Sequence, residues 1–458
     1  WTGANDGPVH VTRDGGLTWT DVTPNDMPPE GRIQHIDPSP HAAGTAYVAG
    51  YRYLLNDFEP YVYKTDDFGA SWSRLTDGSN GIAIDTPVRV VREDPHRAGL
   101  LFAGTEYGFY VSLNDGETWN RFDSRLPATP ITDIKIYKGD IVVSTMGRGF
   151  WIMDDISSLR QFESDSTNQF FQPRTVYRSR RSSRSGGPAD PEYSRPGVRL
   201  DYYLAEDFDG DITLEILTGE EVIRRYHNEV EEEEEQADQG MREPPGRSTG
   251  SSALGTDKGL HRFVWDMRVD GPDGENGDPT RGPLAPPGHY FARITMGDWT
   301  VTRPAELLID PNVAAEGITQ EDLDAQFEFN VKVMRLSHQA GDLLKRVDEL
   351  LDGAPEEVAT VPTGRRDRNR RRGGSEVNPV ADLNAIRSEL ETDNSDSYPP
   401  PMLISQIRYL SGMTSSADQR PGNYAYSRYD ELRAWLLEMK EGVDAAGEAL
   451  EKLQVEEE

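Results

Sequence analysis

The sequence predicts a mainly β chain of several domains that ends in helices. Three observations predict it. An eight-residue motif ending in Trp recurs three times in the first third of the chain. Apolar residues then alternate at period two through the middle of the chain, as half-buried strands require. Finally, apolar residues recur at alternating spacings of three and four from Tyr429 to Leu453, which is a helical heptad seam.

The repeat comes first because it fixes the architecture. Residues 12–19 read TRDGGLTW, 65–72 read TDDFGASW and 112–119 read SLNDGETW. The pattern is Ser/Thr-x-Asp-x-Gly-x-Ser/Thr-Trp, with Asn114 in place of Asp in the third copy. The third positions fall at 14, 67 and 114, intervals of 53 and 47 residues. A four-stranded propeller blade takes about 40–50 residues. A second element repeats in phase, with Pro40-His41 and Gly44 matched by Pro95-His96 and Gly99, each pair followed by a short apolar run. The expected order is strand, Pro turn, strand, short turn, strand, octapeptide turn, Trp strand. In each octapeptide the Asp or Asn can accept backbone N–H bonds and close a hairpin. The Gly supplies a backbone conformation other residues resist, and the Trp packs between neighbouring sheets. These residues (Asp14, Gly16 and Trp19; Asp67, Gly69 and Trp72; Asn114, Gly116 and Trp119) are read as structural.

Composition excludes several function classes. The 458 residues are too many for one core, and suggest about three domains. A formal net charge of -32 argues against nucleic acid or an anionic membrane as a partner. There is no cysteine, so no disulfide, thiolate nucleophile or Cys-ligated metal. No apolar run is long enough to span a bilayer. The sequence holds no His-Glu-x-x-His, no Gly-x-Ser-x-Gly and no phosphate loop. No metal and no cofactor is expected. Because the sequence opens inside a strand-rich repeat, further blades and an export signal are expected upstream of Trp1.

The octapeptides resemble the Asp boxes (BNR repeats) of sialidases, oligoxyloglucan-type glycosidases and sortilin. The sequence is most similar to large bacterial sortilin-like proteins, often labelled glycosyl hydrolases. The likeness is carried by residues 3–19 (GANDGPVHVTRDGGLTW), 103–119 (AGTEYGFYVSLNDGETW) and 144–155 (STMGRGFWIMDD). It continues at 198–204 (VRLDYYL), 261–268 (HRFVWDMR) and 286–294 (PPGHYFARI). The resemblance implies a β-propeller in a secreted, periplasmic or cell-surface protein. The hydrolase label transfers only with matching catalytic residues.

Blade topology sorts the loops to two ends. Octapeptide turns lie at one end, and second-to-third-strand turns lie with interblade connections at the other. The turns offer Asn5 and Asp6, then Asp57 and Glu59, then Glu106 and Tyr107. The connections offer Asp26, Glu30 and Arg32, then Asp85, then Arg125. Convergent carboxylates are what glycoside chemistry requires, one as proton donor and one as base or nucleophile. Glu106, Asp57 and Glu59 are therefore the catalytic candidates. The ligand-binding candidates are Asp6, Asp57, Glu59, Asp85, Glu106, Tyr107, Arg125 and Arg148. A sialidase needs an arginine cluster, and no spacing marks Arg32, Arg52 and Arg125 as one. In Gly147-Arg148-Gly149-Phe150-Trp151 the arginine can face a central channel, but the favoured reading has Phe150 and Trp151 sealing the last blade.

The domain reading follows. Residues 1–155 are the C-terminal blades of an Asp-box β-propeller. Residues 156–197 are a linker whose basic stretch, Arg174 to Arg184, docks on an acidic neighbour or stays flexible. Residues 198–311 form an immunoglobulin-like β-sandwich, interrupted by a polar insertion at 229–255 containing five consecutive glutamates. Residues 312–458 form a helical bundle with a disordered loop at 354–378. Its first helix starts at a capping box, Thr319-Gln320-Glu321-Asp322, and its expected apolar face is Leu323, Phe327, Val331, Met334, Leu344, Val347 and Leu351. The leading functional expectation is recognition of a peptide or glycan. The alternatives are a glycoside hydrolase and a purely structural module.

Overall fold

Four antiparallel up-and-down sheets follow one another along residues 2–153. The first contains β1 (Thr2–Gly3), β2 (Val9–Val11) and β3 (Thr20–Asp21). The second is β4 (Arg32–Pro38), β5 (Ala46–Arg52), β6 (Asp57–Thr65) and β7 (Ser73–Arg74). The third is β8 (Val88–Glu93), β9 (Leu101–Thr105), β10 (Phe109–Ser112) and β11 (Asn120–Arg121). The fourth is β12 (Ile131–Tyr137), β13 (Asp140–Thr145) and β14 (Phe150–Met153). We call them blades 1 to 4. The computed structural model describes residues 1–122, 126–163, 165–180, 196–228, 253–274, 279–354, 378–392 and 400–457. Most of the expected insertion at 229–255 and loop at 354–378 lies outside them.

The blades stack in chain order, with β1 against β4, β4 and β5 against β8, and β8 and β9 against β12. Each interface is an apolar layer shared by two blades. Val9, Met27, Ile33, Val48 and Tyr61 join blades 1 and 2. Tyr47, Ala49, Val88, Val91 and Trp119 join blades 2 and 3. Phe102, Phe109, Ile131, Ile134 and Val143 join blades 3 and 4.

The octapeptides close the hairpins β2–β3, β6–β7 and β10–β11 with one ring of side-chain bonds. In the second, Thr65 Oγ1 donates to Asp67 Oδ1 (2.8 Å), and Ser71 donates its N–H to Oδ1 (2.8 Å) and its hydroxyl to Oδ2 (2.6 Å). Gly69 N–H donates to Thr65 Oγ1 (2.9 Å). The first box repeats these bonds through Thr12, Asp14, Gly16 and Thr18. In the third, Asn114 Oδ1 accepts from Ser112 Oγ and Thr118 N, and its amide donates to Thr118 Oγ1. An acceptor oxygen, not a negative charge, is therefore what the ring needs. The fourth and fifth positions are both left-handed: Gly15-Gly16, Phe68-Gly69 and Asp115-Gly116. Glycine is the residue that takes this conformation without strain.

Each of the later boxes also grips the blade before it. Trp72 donates its indole N–H to Val22 O (2.6 Å), and Trp119 donates to Leu75 O (3.0 Å). A Cβ on Gly69 would strike Val22, and one on Gly116 would strike Leu75. Asp115 accepts from Tyr47 OH (2.8 Å) and pairs with Lys64 Nζ (2.7 Å) of blade 2. In blade 1 the same parts have no such neighbour: Trp19 is 48% exposed and the space around Gly16 is open. The Trp residues lie just ahead of short last strands rather than within them.

Two compact units are present. One comprises Trp1–Arg174, Asp201–Asp207 and Asp257–His261, and the other comprises Thr175–Leu200, Phe208–Thr256 and Arg262–Glu458. Residues 156–197, read as a linker, supply α1 (Ser157–Gln161), β15 (Gln169–Phe170) and β16 (Val176–Arg178). Their Arg- and Ser-rich composition hides elements too short to show a period. In the first unit, Arg160 of α1 makes a bidentate bond to the fully buried Asp94, which also caps the Pro95-His96 turn. Three further strands are β17 (Val198–Leu204), β18 (Ile212–Thr218) and β19 (Glu221–His227). They are followed by β20 (Gly259–Trp265), the hairpin β21 (Arg268–Asp273) and β22 (Pro279–Leu284), then β23 (Gly288–Met296) and β24 (Trp299–Ile309). In the second unit β16, β24, β23, β18 and β19 form a five-stranded sheet, with β16 parallel to β24.

After a short α2 (Pro311–Ala315), the second unit continues into α3 (Gln320–Asp352), α4 (Pro379–Leu390), α5 (Leu403–Ser415) and α6 (Asn423–Glu457). Thr319 and Asp322 form the capping box. The heptad seam of α6 is buried from Leu432 to Leu450 within this bundle. The face of α3 is rotated from the expected one. Its buried stripe is Leu323, Gln326, Phe329, Asn330, Val333, Leu336, Ala340, Leu343 and Val347. Two polar residues break the apolar period because both are bonded inside the core: Gln326 donates to Thr414 O and Ala417 O, and Asn330 exchanges bonds with Thr414. Of the basic stretch, Arg178 and Arg180 both bond Asp418, while Arg181 and Arg184 lie outside the described residues.

Two tests follow from the boxes. Trp119→Ala should cost about 3–5 kcal/mol in urea unfolding, and Trp19→Ala under about 1 kcal/mol, because only Trp119 is buried. Bonds from Thr18 hold the Asp14 carboxyl down at about 2, below its ordinary 3.8, and bonds from Ser71 also lower Asp67. A depressed carboxyl stabilises above its unfolded value and loses that contribution as pH falls through its folded value. Asp14→Asn/Asp67→Asn should therefore flatten the acid limb of the stability curve between about pH 4 and pH 2.

Candidate functional site

A connected constellation of side chains at the loop end of the blades is built where blades 2 and 3 meet. Strand β5 ends in Tyr51-Arg52, and a single 3-10 turn, Tyr53–Leu55, leads to Asn56 in left-handed conformation. Tyr51 and Tyr53 stack, with ring centroids 4.7 Å apart. From β8, Arg89 lies over both rings (5.2 and 5.6 Å) and donates Nη2 to Tyr53 OH (3.2 Å). Its Nε donates to Glu106 Oε1 (2.6 Å), on the turn after β9. Arg32, at the start of β4, lies over the Tyr51 ring (5.9 Å).

The three carboxylates named as catalytic candidates each face an arginine. Glu106 pairs with Arg89, Asp57 with Arg52 and Glu59 with Arg74 (2.9 Å). Asp57 and Glu59 open β6 rather than lying in a loop, and Glu59 N–H donates to Asp57 Oδ1 (3.1 Å). Burial pushes the Asp57 carboxyl up, but bonds from Glu59 N, Tyr61 OH and Arg52 outweigh it and hold it below its ordinary value. Burial, with Asp57 as acceptor, pushes Tyr61 up to about 12. Asp57 is thus ionised and Tyr61 a neutral donor near neutrality. A general acid needs the opposite, a carboxyl raised toward neutrality. Arg89 is held above its ordinary value by Glu106, against the opposing effect of burial.

The other sequence-named residues sit apart. Asp6 is exposed in the β1–β2 turn, Asp85 is exposed between β7 and β8, and Arg148 is exposed between Gly147 and Gly149. No hydrogen bond or ion pair among the described residues joins them to the Tyr53–Arg89–Glu106 cluster. Arg125 lies outside the described residues. Phe150 does not seal the last blade: it is 80% exposed, because alternation along β14 turns it away from the apolar layer that half-buried Trp151 joins. Exposed apolar residues also lie beside the cluster. Leu54, Leu55, Phe58 and Tyr107 are 74, 47, 43 and 51% exposed, on the turns and strand start beside the cluster.

Sequence reasoning missed Arg89, Tyr51 and Tyr53. The signal was present, since a lone arginine inside the apolar run Pro87 to Val91 must find a partner. It also missed Arg92, whose guanidinium ties three blades through Asp37 (2.6 Å), Asp133 (3.2 Å) and Ile134 O (3.0 Å).

No group of three or more His, Asp or Glu among the described residues is placed to hold a metal ion. No helix among them is long and apolar enough to cross a membrane. No protein-family model matches the chain, and no curated protein matches it. Among solved structures it is similar to YCF48 bound to D1 peptide, at 12% identity over 69% of this chain and 78% of that one, with a TM-score of 0.25. It is also similar to a GH74 xyloglucanase from Xanthomonas campestris, at 14% identity over 67% of this chain and 43% of that one (TM-score 0.27). A GH74 enzyme from Niastella koreensis matches at 11% identity over 66% and 46%, with a TM-score of 0.25. The chain spans less than half the length of both GH74 structures. At such scores the blade architecture rests on this chain's own sheets and box hairpins.

Arg89 and Glu106 are 8% and 16% exposed, so breaking the pair strands a charge. Arg89→Leu should cost about 3 kcal/mol, and Arg89→Leu/Glu106→Leu should restore most of it, as thermal unfolding of the two variants would show.

Proposed function

We propose that the blades are part of a β-propeller that recognises an extended peptide at the junction of blades 2 and 3. The observation that carries this reading is the pairing of Asp57, Glu59 and Glu106 each with an arginine, beside exposed Leu54, Leu55 and Tyr107. Asp57 is held below its ordinary carboxylate value, the opposite of a proton donor's, while exposed leucines and an aromatic ring are the groups that bury a partner's apolar side chains. The rigid Tyr51–Tyr53–Arg89 stack beneath them preorganises the loops. A glycan is the second ligand class, favoured by Tyr107 as a stacking platform. We place this activity in a secreted, periplasmic or cell-surface protein of the sortilin-like Asp-box class, where a strongly acidic, cysteine-free surface stays soluble. The sheet around buried Trp265, which packs on Tyr290 at 5.3 Å, is proposed as an immunoglobulin-like accessory module.

The test uses the full chain against a peptide array, a glycan array and polysaccharide hydrolysis assays. Binding to apolar peptides without turnover is the expected result. Leu54→Ser/Tyr107→Ser should weaken it about tenfold at unchanged stability, since both side chains are exposed. Hydrolysis that Glu106→Gln or Asp57→Asn abolishes would replace recognition with glycosidase activity.

A further inference from the structure

A second charge cluster lies where blades 2, 3 and 4 meet. Arg92 of β8 donates to Asp37 Oδ1 on β4 (2.6 Å) and to Asp133 Oδ1 on β12 (3.2 Å). Asp37 is buried and also accepts the Glu93 N–H (2.8 Å). His35 stands two residues before Asp37 on β4, so strand alternation puts both on one face.

The His35 ring is half-buried, and its Nδ1 is buried with no hydrogen-bond partner among the described residues. A neutral imidazole tolerates this, because one of its nitrogens is a bare acceptor. An imidazolium does not, because both nitrogens then carry a proton and a buried donor without an acceptor is destabilising.

The charged neighbours do not offer relief. Arg92 faces the ring from β8, and Asp37 and Asp133 oppose it in sign, but both carboxylates already pair with Arg92. On β5, Ala49 lies opposite His35, and Tyr47 and Tyr51 on either side carry phenols that burial pushes up, so they are neutral. Glu93 Oε1 accepts from Tyr47 OH (3.3 Å) and Gly99 N (3.0 Å). Burial foremost, and then Arg92, hold the His35 imidazole below its ordinary value, with Asp37, Asp133 and the Val91 backbone opposing.

We propose that His35 makes the junction of blades 2, 3 and 4 an acid-sensitive latch, closed while the ring is neutral and loosened when the ring takes up a proton. As pH falls through about 6.5, the unfolded chain gains a proton at this position that the folded chain resists. Stability is lost from there down to the folded value, so acid favours opening. The latch does not rest on the peptide reading.

The chain has no cysteine, so a single introduced thiol reports opening of this junction alone. Ala103 is fully buried in the layer between blades 2 and 3, and Ala103→Cys is a small change there. The labelling rate of that thiol, divided by its rate in the urea-unfolded chain at the same pH, gives the opening equilibrium. From about pH 7.5 to about pH 5.5 this equilibrium should rise several-fold more in Ala103→Cys than in Ala103→Cys/His35→Gln, by up to about tenfold. Asp37, Asp133 and Glu93 are common to both proteins, so the difference belongs to the imidazole. His96→Gln in the same background removes an exposed imidazole and should leave the rise intact. Circular dichroism at the higher pH checks each fold, and His35→Phe serves where glutamine disturbs the strand. No rise in Ala103→Cys, or an equal rise with and without His35, would overturn the proposal.

Discussion

The architecture of the first unit depends on a hairpin closed by side chains rather than by backbone alone. One acceptor oxygen, from Asp14, Asp67 or Asn114, gathers a hydroxyl and an N–H from residues on either side of a left-handed pair. That ring sets where the following Trp emerges. Trp72 and Trp119 then reach the backbone of the preceding blade, so a local turn also fixes the distance between sheets. A backbone turn would close the hairpin equally well but would not deliver an indole to a neighbour.

At the opposite end of the blades, electrostatics governs what chemistry is open. In a chain with 80 acidic residues, arginine supplies most of the 48 basic ones. Three arginines, Arg52, Arg74 and Arg89, pair with the three candidate carboxylates at the start of β6 and after β9. Those arginines offset the charge of the carboxylates, and Leu54, Leu55 and Tyr107 stay exposed beside them.

Much of this was legible in the sequence. The mainly β course with a helical end followed from the box repeat, from period-two runs such as Val198 to Leu204, and from the α6 heptads. Those signals are local, and each repeats. The elements at 157–178 were not legible, because three-residue strands such as β16 show no period and find their partner, β24, about 130 residues away. The face of α3 was misread for a physical reason: Gln326 and Asn330 look like surface residues until Thr414 and Ala417 supply their bonds. At the blade junction the loop positions could be assigned from strand order alone. The arginine opposite each carboxylate could not, since Arg89 comes from a strand of the next blade and Arg74 from the far side of a box hairpin.

The clasp between blades also has a direction. The grips of the two later boxes run backwards along the chain: Trp72 to Val22, Trp119 to Leu75, Asp115 to Tyr47 and Lys64. A blade is therefore secured by its successor at one edge and secures its predecessor at the other, with different atoms at each. Such a stack is a ratchet in mechanical terms. Damage to one blade releases the hold of the blade behind it on firm ground, while the blade in front keeps its own box intact, so unravelling under load would be asymmetric along the polypeptide.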